Sequence, residues 1–356
     1  MFINFFVEYL CQQKIDTYKY LLPFTNYHYN IITMTNKPAN LHYIDLNLPP
    51  SEMWNNLLDT YSDKLKNAIP QMKAIIDSMT GSMYYLAKPL IQVFKMTNKI
   101  LYVDELNSIA KKLGISFEYV LLMQLCYEAS ACCTSVVTQI DGQHVFFRTM
   151  DWPFDFLKEL TVDLVFQRNG IEICTATTWV GYVGFLTASV PDKYSLAINY
   201  RRTIENVSFS SILKNVFNVM KMYWPIGYLI RELCVNNSSP QNMRKALLHY
   251  PLIAPCYITI CYPDNDPEII TRNTTNATIH TGNHVVQTNC DQDKCEPNIL
   301  YSVERRTMVN NVIKNKNNDI DALITQFLKY PVLNCETVYY TIMIPKIHLH
   351  KTSVFE

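Results

Sequence analysis

The chain has 356 residues, enough for one large domain or two ordinary ones, and 49% of them are hydrophobic, a globular composition that excludes disorder as the main state. Its 31 basic and 31 acidic residues cancel, which removes the basic footprint of a nucleic-acid binder. No apolar run reaches the roughly 18 residues of a membrane span, and the 8 glycines form neither GxGxxG nor GxxxxGKS/T, so no phosphate-cradling loop is expected.

The N-terminus, MFINFFVEYLCQQK, is apolar but short, lacks a basic start and is interrupted by Glu8. Residues 1–35 are read as a leader, either a degenerate secretory signal or sequence ahead of a true start at Met34. YIDLNLPP alternates Ile44, Leu46 and Leu48 against Asp45 and Asn47, the pattern of a half-buried strand that Pro49-Pro50 stops. Ser51 is expected to cap a helix carrying Trp54, Leu57, Leu58, Tyr61 and Leu65 on one face. Leu106, Ile109, Ala110 and Leu113 repeat such a stripe, which Gly114 ends, and Ser116 caps the next helix, FEYVLLMQLCYEAS. Residues 36–132 therefore read as mostly helical.

After Cys133 the texture changes. TSVVTQI, Asp141-Gly142 and HVFFRTMD predict a hairpin with a tight turn. LTVDLVFQ places Leu160, Val162, Leu164 and Phe166 on one face, Asn169-Gly170 turns it into IEICTATTWVG, and Pro191-Asp192-Lys193 turns again into YSLAINY. Helices follow at SILKNVFNVMKMYW and from Ser239-Pro240, the latter with Met243, Ala246 and Leu247 inward. Strands return at CYITICYP, EIITRN, HVVQTN and TVYYTIMI. Strands, then helices, then strands predict a layered α+β fold with helices covering two sheets.

The adjacent pair Cys132-Cys133 admits two readings. Neighbours in a strand point to opposite faces and rarely bond each other, so one is a buried small residue and the other incidental, or one is a nucleophile. A nucleophile needs an activating base, a positive partner and an oxyanion site. Arg148 and Asp151, just past the hairpin turn, are placed to return beside Cys133; an arginine near a thiol favours the thiolate, whereas a plain surface Arg–Asp pair is the bland reading. No histidine is an obvious base. Cleavage before Cys133 would supply its own α-amine, with an ordinary pKa of roughly 8, as the base. The 11 cysteines are odd in number and show no framework spacing. Sequons at Asn206, Asn236, Asn237, Asn273 and Asn276 favour a secretory or lysosomal route.

CCTSVV followed by HVFFRTMD resembles the acid ceramidase / N-acylethanolamine acid amidase family of cysteine N-terminal-nucleophile hydrolases. The likeness runs on through LTVDLVFQRNG, GYVGFLT, LIAPCYI, ITRN, QTNCD, ERRT and VLNCETVYYT, with YIDLNLPPSEMW and CYEASACCTS upstream, in family order over residues 40–345. IDLNLPP and PVLN lean toward acid ceramidase over the ethanolamide-cleaving branch. The resemblance implies an αββα sandwich, two antiparallel sheets covered by helices, with a helical N-terminal α chain. It implies self-cleavage between Cys132 and Cys133 into an α chain of residues 1–132 and a catalytic β chain of 133–356, then hydrolysis of the amide of an N-acyl lipid, foremost ceramide to sphingosine and fatty acid. Cys133 is the implied nucleophile and its amine the base. Asp151 holds that amine, Arg148 contacts the substrate carbonyl region and the nucleophile, Asn289 is the oxyanion donor and Arg305 the second active-site arginine. No cofactor and no metal are implied. The partners are the lipid, a membrane surface met peripherally and the two chains of one precursor, with no nucleic acid; the place is a lysosome or a secretory or endosomal lumen, with a cytoplasmic form as the alternative. An apolar helical stretch between Met72 and Phe94 suits an acyl groove or a membrane-leaning face.

Two departures stand out. Thr149 replaces the family's Asn after the first arginine, and Tyr200, in INYRR, replaces a Glu that borders the site. The loop QTNCDQDKC also lacks the family's Trp. Competing readings are a zinc site from His280, His284, Cys290 and Cys295, against which Cys290 and Cys295 pairing with each other is set; a solvated tail at HLHK; an N-acylethanolamine amidase or other linear-amide acylase; and a non-catalytic lipid-binding homologue that never cleaves itself.

Overall fold

A computed structural model of the chain describes residues 34–80, 83–96, 100–126, 131–201, 223–293, 298, 301–315 and 319–356. The upstream part begins with two short strands, β1 (Asn36–Pro38) and β2 (Asn40–Asp45). It continues in helices α1 (Asn55–Thr60), α2 (Ser62–Thr80), α3 (Met83–Met96), α4 (Val103–Leu113) and α5 (Phe117–Leu125). Gly114, with φ of 63°, ends α4 in the left-handed conformation that a Cβ resists. Trp54, Leu57, Leu58, Tyr61, Leu65, Leu106 and Ile109 are buried, as their spacing predicts.

The downstream part is mainly strand. β3 (Cys132–Ile140) and β4 (Gln143–Asp151) form the expected hairpin, closed by Asp141 and Gly142 at φ of 47° and 75°, the positive-φ pair of a type I′ turn. A short helix, α6 (Phe156–Leu160), leads to β5 (Thr161–Arg168) and β6 (Ile171–Trp179), joined by a second positive-φ pair at Asn169-Gly170. Then come β7 (Thr187–Val190), β8 (Tyr194–Tyr200), α7 (Ile226–Val235) and α8 (Pro240–His249). The Ser239 hydroxyl caps α8 by accepting from the Asn242 backbone N–H at 3.2 Å. β9 (Cys256–Cys261), β10 (Glu268–Arg272), β11 (Ala277–Thr281), β12 (Val285–Gln287), α9 (Ser302–Lys314), α10 (Ile320–Phe327), β13 (Thr337–Ile344) and β14 (Leu349–Phe355) complete the order.

The strands build two sheets. One has the order β1-β14-β13-β4-β3-β12, the other β11-β10-β9-β8-β7-β6-β5-β2. Val309, Leu323 and Phe327 of α9 and α10 cover Val136, Val145 and Phe147 on the outer face of the first sheet. The helices α1, α2, α4, α5, α7 and α8 share one core with Leu164, Phe166, Leu196 and Ile260 of the second. Between the sheets lie a small apolar cluster, including Val137, Phe146 and Met343, and a polar one in which Thr177 bonds Asp163, Thr352 and His350. This is the αββα sandwich that the resemblance implies.

Several expectations need correction. The strand read at 44–48 ends at Asp45, because the Asp45 carboxylate accepts the Asn47 N–H at 2.8 Å and turns the chain. The same strand begins earlier and runs parallel to β5, so the second sheet is not wholly antiparallel. Ser51 does not cap the first helix; α1 starts at Asn55 with Trp54 in the cap position, and the Ser51 carbonyl instead accepts from Ser108 Oγ. Leu160 closes α6 rather than opening β5. HLHK is no solvated tail: it enters β14, an interior strand, and His350 is buried against Thr177 and Ser189. The helix expected at SILKNVFNVMKMYW falls, apart from its last two residues, outside the described residues. The upstream part is structurally continuous with the rest, since β1 pairs with β14 and β2 with β5.

Candidate active site

The hairpin register sets Cys133 opposite Met150, Ser135 opposite Arg148 and Cys132 opposite Asp151. Side chains alternate across a strand, so the two cysteines take opposite faces of the sheet. Both are buried and neither is in a disulfide. Cys133 Sγ faces the second sheet, where Arg148 Nη2 donates to it at 3.3 Å. Arg148 is itself fully buried and held in place: its Nη1 donates to Tyr339 Oη at 2.6 Å and its Nη2 to the Ile198 carbonyl at 3.0 Å. A fixed cationic donor against sulfur is the partner a thiolate needs.

The Cys133 backbone is gripped on both sides. Its N–H donates to Asn289 Oδ1 at 2.9 Å. Its carbonyl accepts from Arg305 Nη1 at 2.7 Å and from Asn199 Nδ2 at 3.1 Å. Arg305 projects from α9 and ties the site together: Nη2 donates to Asn289 Oδ1 at 3.0 Å, and Nη1 lies 3.6 Å from Asp151 Oδ2. Thr337 Oγ1 donates to Asp151 Oδ1 at 2.8 Å, while Oδ2 makes no hydrogen bond within the described residues. All five residues expected to form the site, Cys133, Arg148, Asp151, Asn289 and Arg305, thus meet at one point.

Asn289 is fully engaged in the continuous chain. Two donors on Oδ1 fix the amide's orientation, and Nδ2 donates to the carbonyls of Tyr200 at 2.9 Å and Ala131 at 3.3 Å. The loop that carries it is clamped by Arg201, which makes a bidentate pair with Asp291 at 2.7 and 2.8 Å. Tyr257 Oη donates to the same carboxylate at 2.7 Å. The Arg201 hydrogen bonds hold the Asp291 carboxyl below its ordinary range.

Burial pushes the Asp151 carboxyl up to about 6, against the opposing pull of Arg305. Burial likewise pushes the Cys132 thiol well up, which leaves Cys132 inert. The Cys132–Cys133 peptide bond thus joins an inert cysteine to one with a cationic partner.

Sequence reasoning missed Asn199, Tyr339, Thr337 and Ser302, whose Oγ accepts the Asn289 N–H at 3.2 Å and Arg305 Nη2 at 3.1 Å. Asn199 reaches across from the second sheet, accepting from Ser135 Oγ at 2.7 Å and donating to the Gln287 carbonyl at 3.0 Å. Its only signal was its place beside Tyr200 in INYRR. Of the departures, buried Thr149 accepts the Thr134 N–H at 3.3 Å, and Tyr200 contributes its carbonyl to Asn289. The zinc reading fails among the described residues: His280 and His284 are exposed, Cys290 is in a disulfide, and no group of three or more ligand side chains converges. Cys295, the fourth candidate ligand and proposed partner of Cys290, lies outside the described residues. Asn236, Asn237, Asn273 and Asn276 are exposed, and Asn206 lies outside the described residues.

An apolar cleft begins at Trp152, the residue after Asp151. Trp179 and Tyr182 continue its wall, and Met72, Ile76 and Met123 from the upstream helices face them. The stretch read as a groove therefore contributes to one, and α3 also exposes Tyr85, Val93 and Met96 to solvent. No described helix is long and apolar enough to cross a membrane.

The family described as linear amide C–N hydrolases, choloylglycine hydrolase family, matches residues 133–292, a span whose first residue is Cys133. An uncharacterized protein of Acanthamoeba polyphaga mimivirus is 35% identical over 301 residues, 83% of this chain and 93% of that one. Acid ceramidase of Mus musculus is 28% identical over 342 residues, covering 86% of this chain and 84% of its own. Among solved structures, a Caenorhabditis elegans N-acylethanolamine-hydrolyzing acid amidase ortholog superposes with a TM-score of 0.53 at 26% identity, over 60% of this chain and 93% of that chain.

Proposed function

The chain belongs to the acid ceramidase / N-acylethanolamine acid amidase family and is a hydrolase of linear amide C–N bonds; on that premise we propose that it cleaves itself before Cys133 and then hydrolyses the amide of an N-acyl lipid, foremost ceramide. The observation that carries this reading is the setting of Cys133: a buried thiol with an arginine donor on sulfur and an asparagine oxygen on its nitrogen.

In self-cleavage the Cys133 sulfur attacks the Cys132 carbonyl carbon. The C–N bond breaks, the nitrogen takes a proton, and a thioester joins Cys132 to Cys133 Sγ. Water hydrolyses the thioester, leaving a carboxylate on Cys132 and a free amine and thiol on Cys133. The amine keeps Asn289 Oδ1 as its acceptor, and the open Asp151 Oδ2 is the anion that holds it. Departure of Ala131 frees one Asn289 Nδ2 hydrogen for an oxyanion.

In turnover the Cys133 thiolate attacks the lipid amide carbon and the amine proton passes to the leaving nitrogen. The acyl thioester that remains is hydrolysed by water that the amine deprotonates. The apolar cleft takes the acyl chain, and the exposed apolar side chains of α3 suit peripheral contact with a membrane. The Asn-x-Ser/Thr turns favour a lysosomal or secretory lumen. An N-acylethanolamine is the rival substrate, favoured by the Caenorhabditis elegans neighbour.

The test compares hydrolysis of N-acylsphingosine and N-acylethanolamine by the acid-incubated chain and by Cys133→Ala. Turnover of the sphingosine amide that Cys133→Ala abolishes is the expected result. Turnover of the ethanolamide alone moves the assignment to the rival, and equal turnover by Cys133→Ala overturns the mechanism.

A further inference from the structure

The turn between β6 and β7 builds one wall of the cleft in an unusual way. Gly181 has φ of 93°, a conformation that L side chains rarely adopt. It turns the chain so that the Tyr182 N–H donates to the Trp179 carbonyl at 2.9 Å and the phenol comes back against Gly184, two residues on. There it fills a slot between two glycines. A Cβ on Gly184 would lie 2.7 Å from Tyr182 Oη, and a Cβ on Gly227, at the start of α7, would overlap the same oxygen.

Gln124 fixes the turn from the other side. This α5 side chain is almost fully buried, and its Nε2 donates to the Gly181 carbonyl at 2.9 Å while its Oε1 accepts the Val183 N–H at 2.8 Å. The two bonds bracket Tyr182. Tyr182 lines the cleft, and its ring stands 6.1 Å from that of Trp179, which is 5.4 Å from that of Trp152. Three aromatic side chains in series thus connect Trp152, the residue after Asp151, with Tyr182.

We infer that Tyr182 is a specificity-determining residue, whose depth in the Gly184–Gly227 slot sets the length of acyl chain the cleft admits. The inference rests on the proposed amide-hydrolase reading for the identity of the ligand, an unbranched fatty acyl chain. The slot has no spare depth: anything added behind the phenol moves the ring toward the cleft, and removing the ring lengthens it. Discrimination in an apolar pocket responds to one methylene by roughly 10- to 200-fold.

The experiment uses the full chain with Gly227→Ala, Tyr182→Ala and the double variant Gly227→Ala/Tyr182→Phe. Three quantities are read: self-cleavage on a gel, the ratio of kcat/KM for N-hexadecanoyl over N-octanoyl sphingosine, and quenching of tryptophan fluorescence by hexadecanoate and octanoate in a Cys133→Ala background. Gly227→Ala should cleave itself like wild type and lose the long chain by about tenfold in the ratio, mostly through KM. Tyr182→Ala should shift the ratio the other way. Removing the phenol oxygen in the double variant leaves Cζ, 3.3 Å from the new Cβ, as the nearest ring atom, and the wild-type ratio should return. An unchanged ratio in Gly227→Ala overturns the inference. If that variant does not fold, the Tyr182→Ala ratio decides alone. If no variant hydrolyses either amide yet the fatty-acid binding ratios move as stated, the wall stands and the hydrolase substrate is wrong.

Discussion

Arg231 and Glu105 join the parts of the chain on either side of the Cys132–Cys133 bond, and cutting their contact gives a measurable loss. Arg231 Nη1 and Nη2 donate to the two Glu105 oxygens at 2.7 and 2.8 Å, with both side chains nearly inaccessible. Trp54 Nε1 donates to the same carboxylate at 2.5 Å, and the Tyr102 ring lies 4.2 Å from the guanidinium carbon. Arg231→Met keeps most of the stem's packing but strands a buried carboxylate. Removing one partner of such a pair costs about 3–5 kcal/mol, because the remaining charge has lost both water and its counter-ion. Adding Glu105→Gln removes the charge and keeps an acceptor for Trp54, so the double variant should recover about 2 kcal/mol of that loss. The assay is urea unfolding in a Cys133→Ala background, where one uncut chain unfolds and a shift in midpoint at constant slope reports stability. A loss below about 1 kcal/mol for Arg231→Met, or no recovery in the double variant, refutes the reasoning.

Other outcomes follow from the site. With Asp151 raised to about 6 by burial, the folded chain holds this proton more tightly than the unfolded one. The associated stability is complete below the ordinary carboxyl range and is lost as pH rises through about 6. Its neutral form also removes a negative charge opposite Cys132, where an oxyanion develops in the acyl shift. Self-cleavage should therefore accelerate as pH falls through about 6, and Asp151→Asn should show no such step; a step that survives in Asp151→Asn contradicts this. Asn289→Ala should lower kcat for amide hydrolysis by about 10²- to 10³-fold, the usual cost of losing one oxyanion donor, and a loss under tenfold would assign the donor elsewhere. Asp291→Asn unlocks the Asn289 loop from Arg201 and should lower kcat with little change in KM; an unaltered kcat would show that the loop holds without the clamp.

What the sequence could display was set by how local each feature is. The β3–β4 hairpin was legible because Asp141-Gly142 announces its own turn, and that hairpin alone brings Arg148 to Cys133. Gly114 and Ser239 marked helix ends for the same local reason. The grip on the Cys133 carbonyl was not legible: Asn199 comes from the other sheet and Arg305 from a helix 172 residues on. Arg305 and Asn289 entered only through resemblance to a family. α7 escaped notice although Ile226, Leu229, Ile230 and Leu233 lie at helical spacing, because burial on nearly every side leaves little polar contrast to mark it. β11 escaped because its exposed edge shows no alternation. β14 was misread because His350 looked like solvent chemistry, whereas Thr177 and Ser189 satisfy both of its ring nitrogens between the sheets.

The most direct test of the account is N-terminal sequencing, after acid incubation, of the wild-type chain beside Cys133→Ala and Cys132→Ala. The account predicts a fragment beginning Cys-Thr-Ser-Val from wild type and from Cys132→Ala, and an intact chain from Cys133→Ala. Cleavage of Cys133→Ala at the same bond, or no cleavage in any of the three chains, would contradict Cys133 as the N-terminal nucleophile.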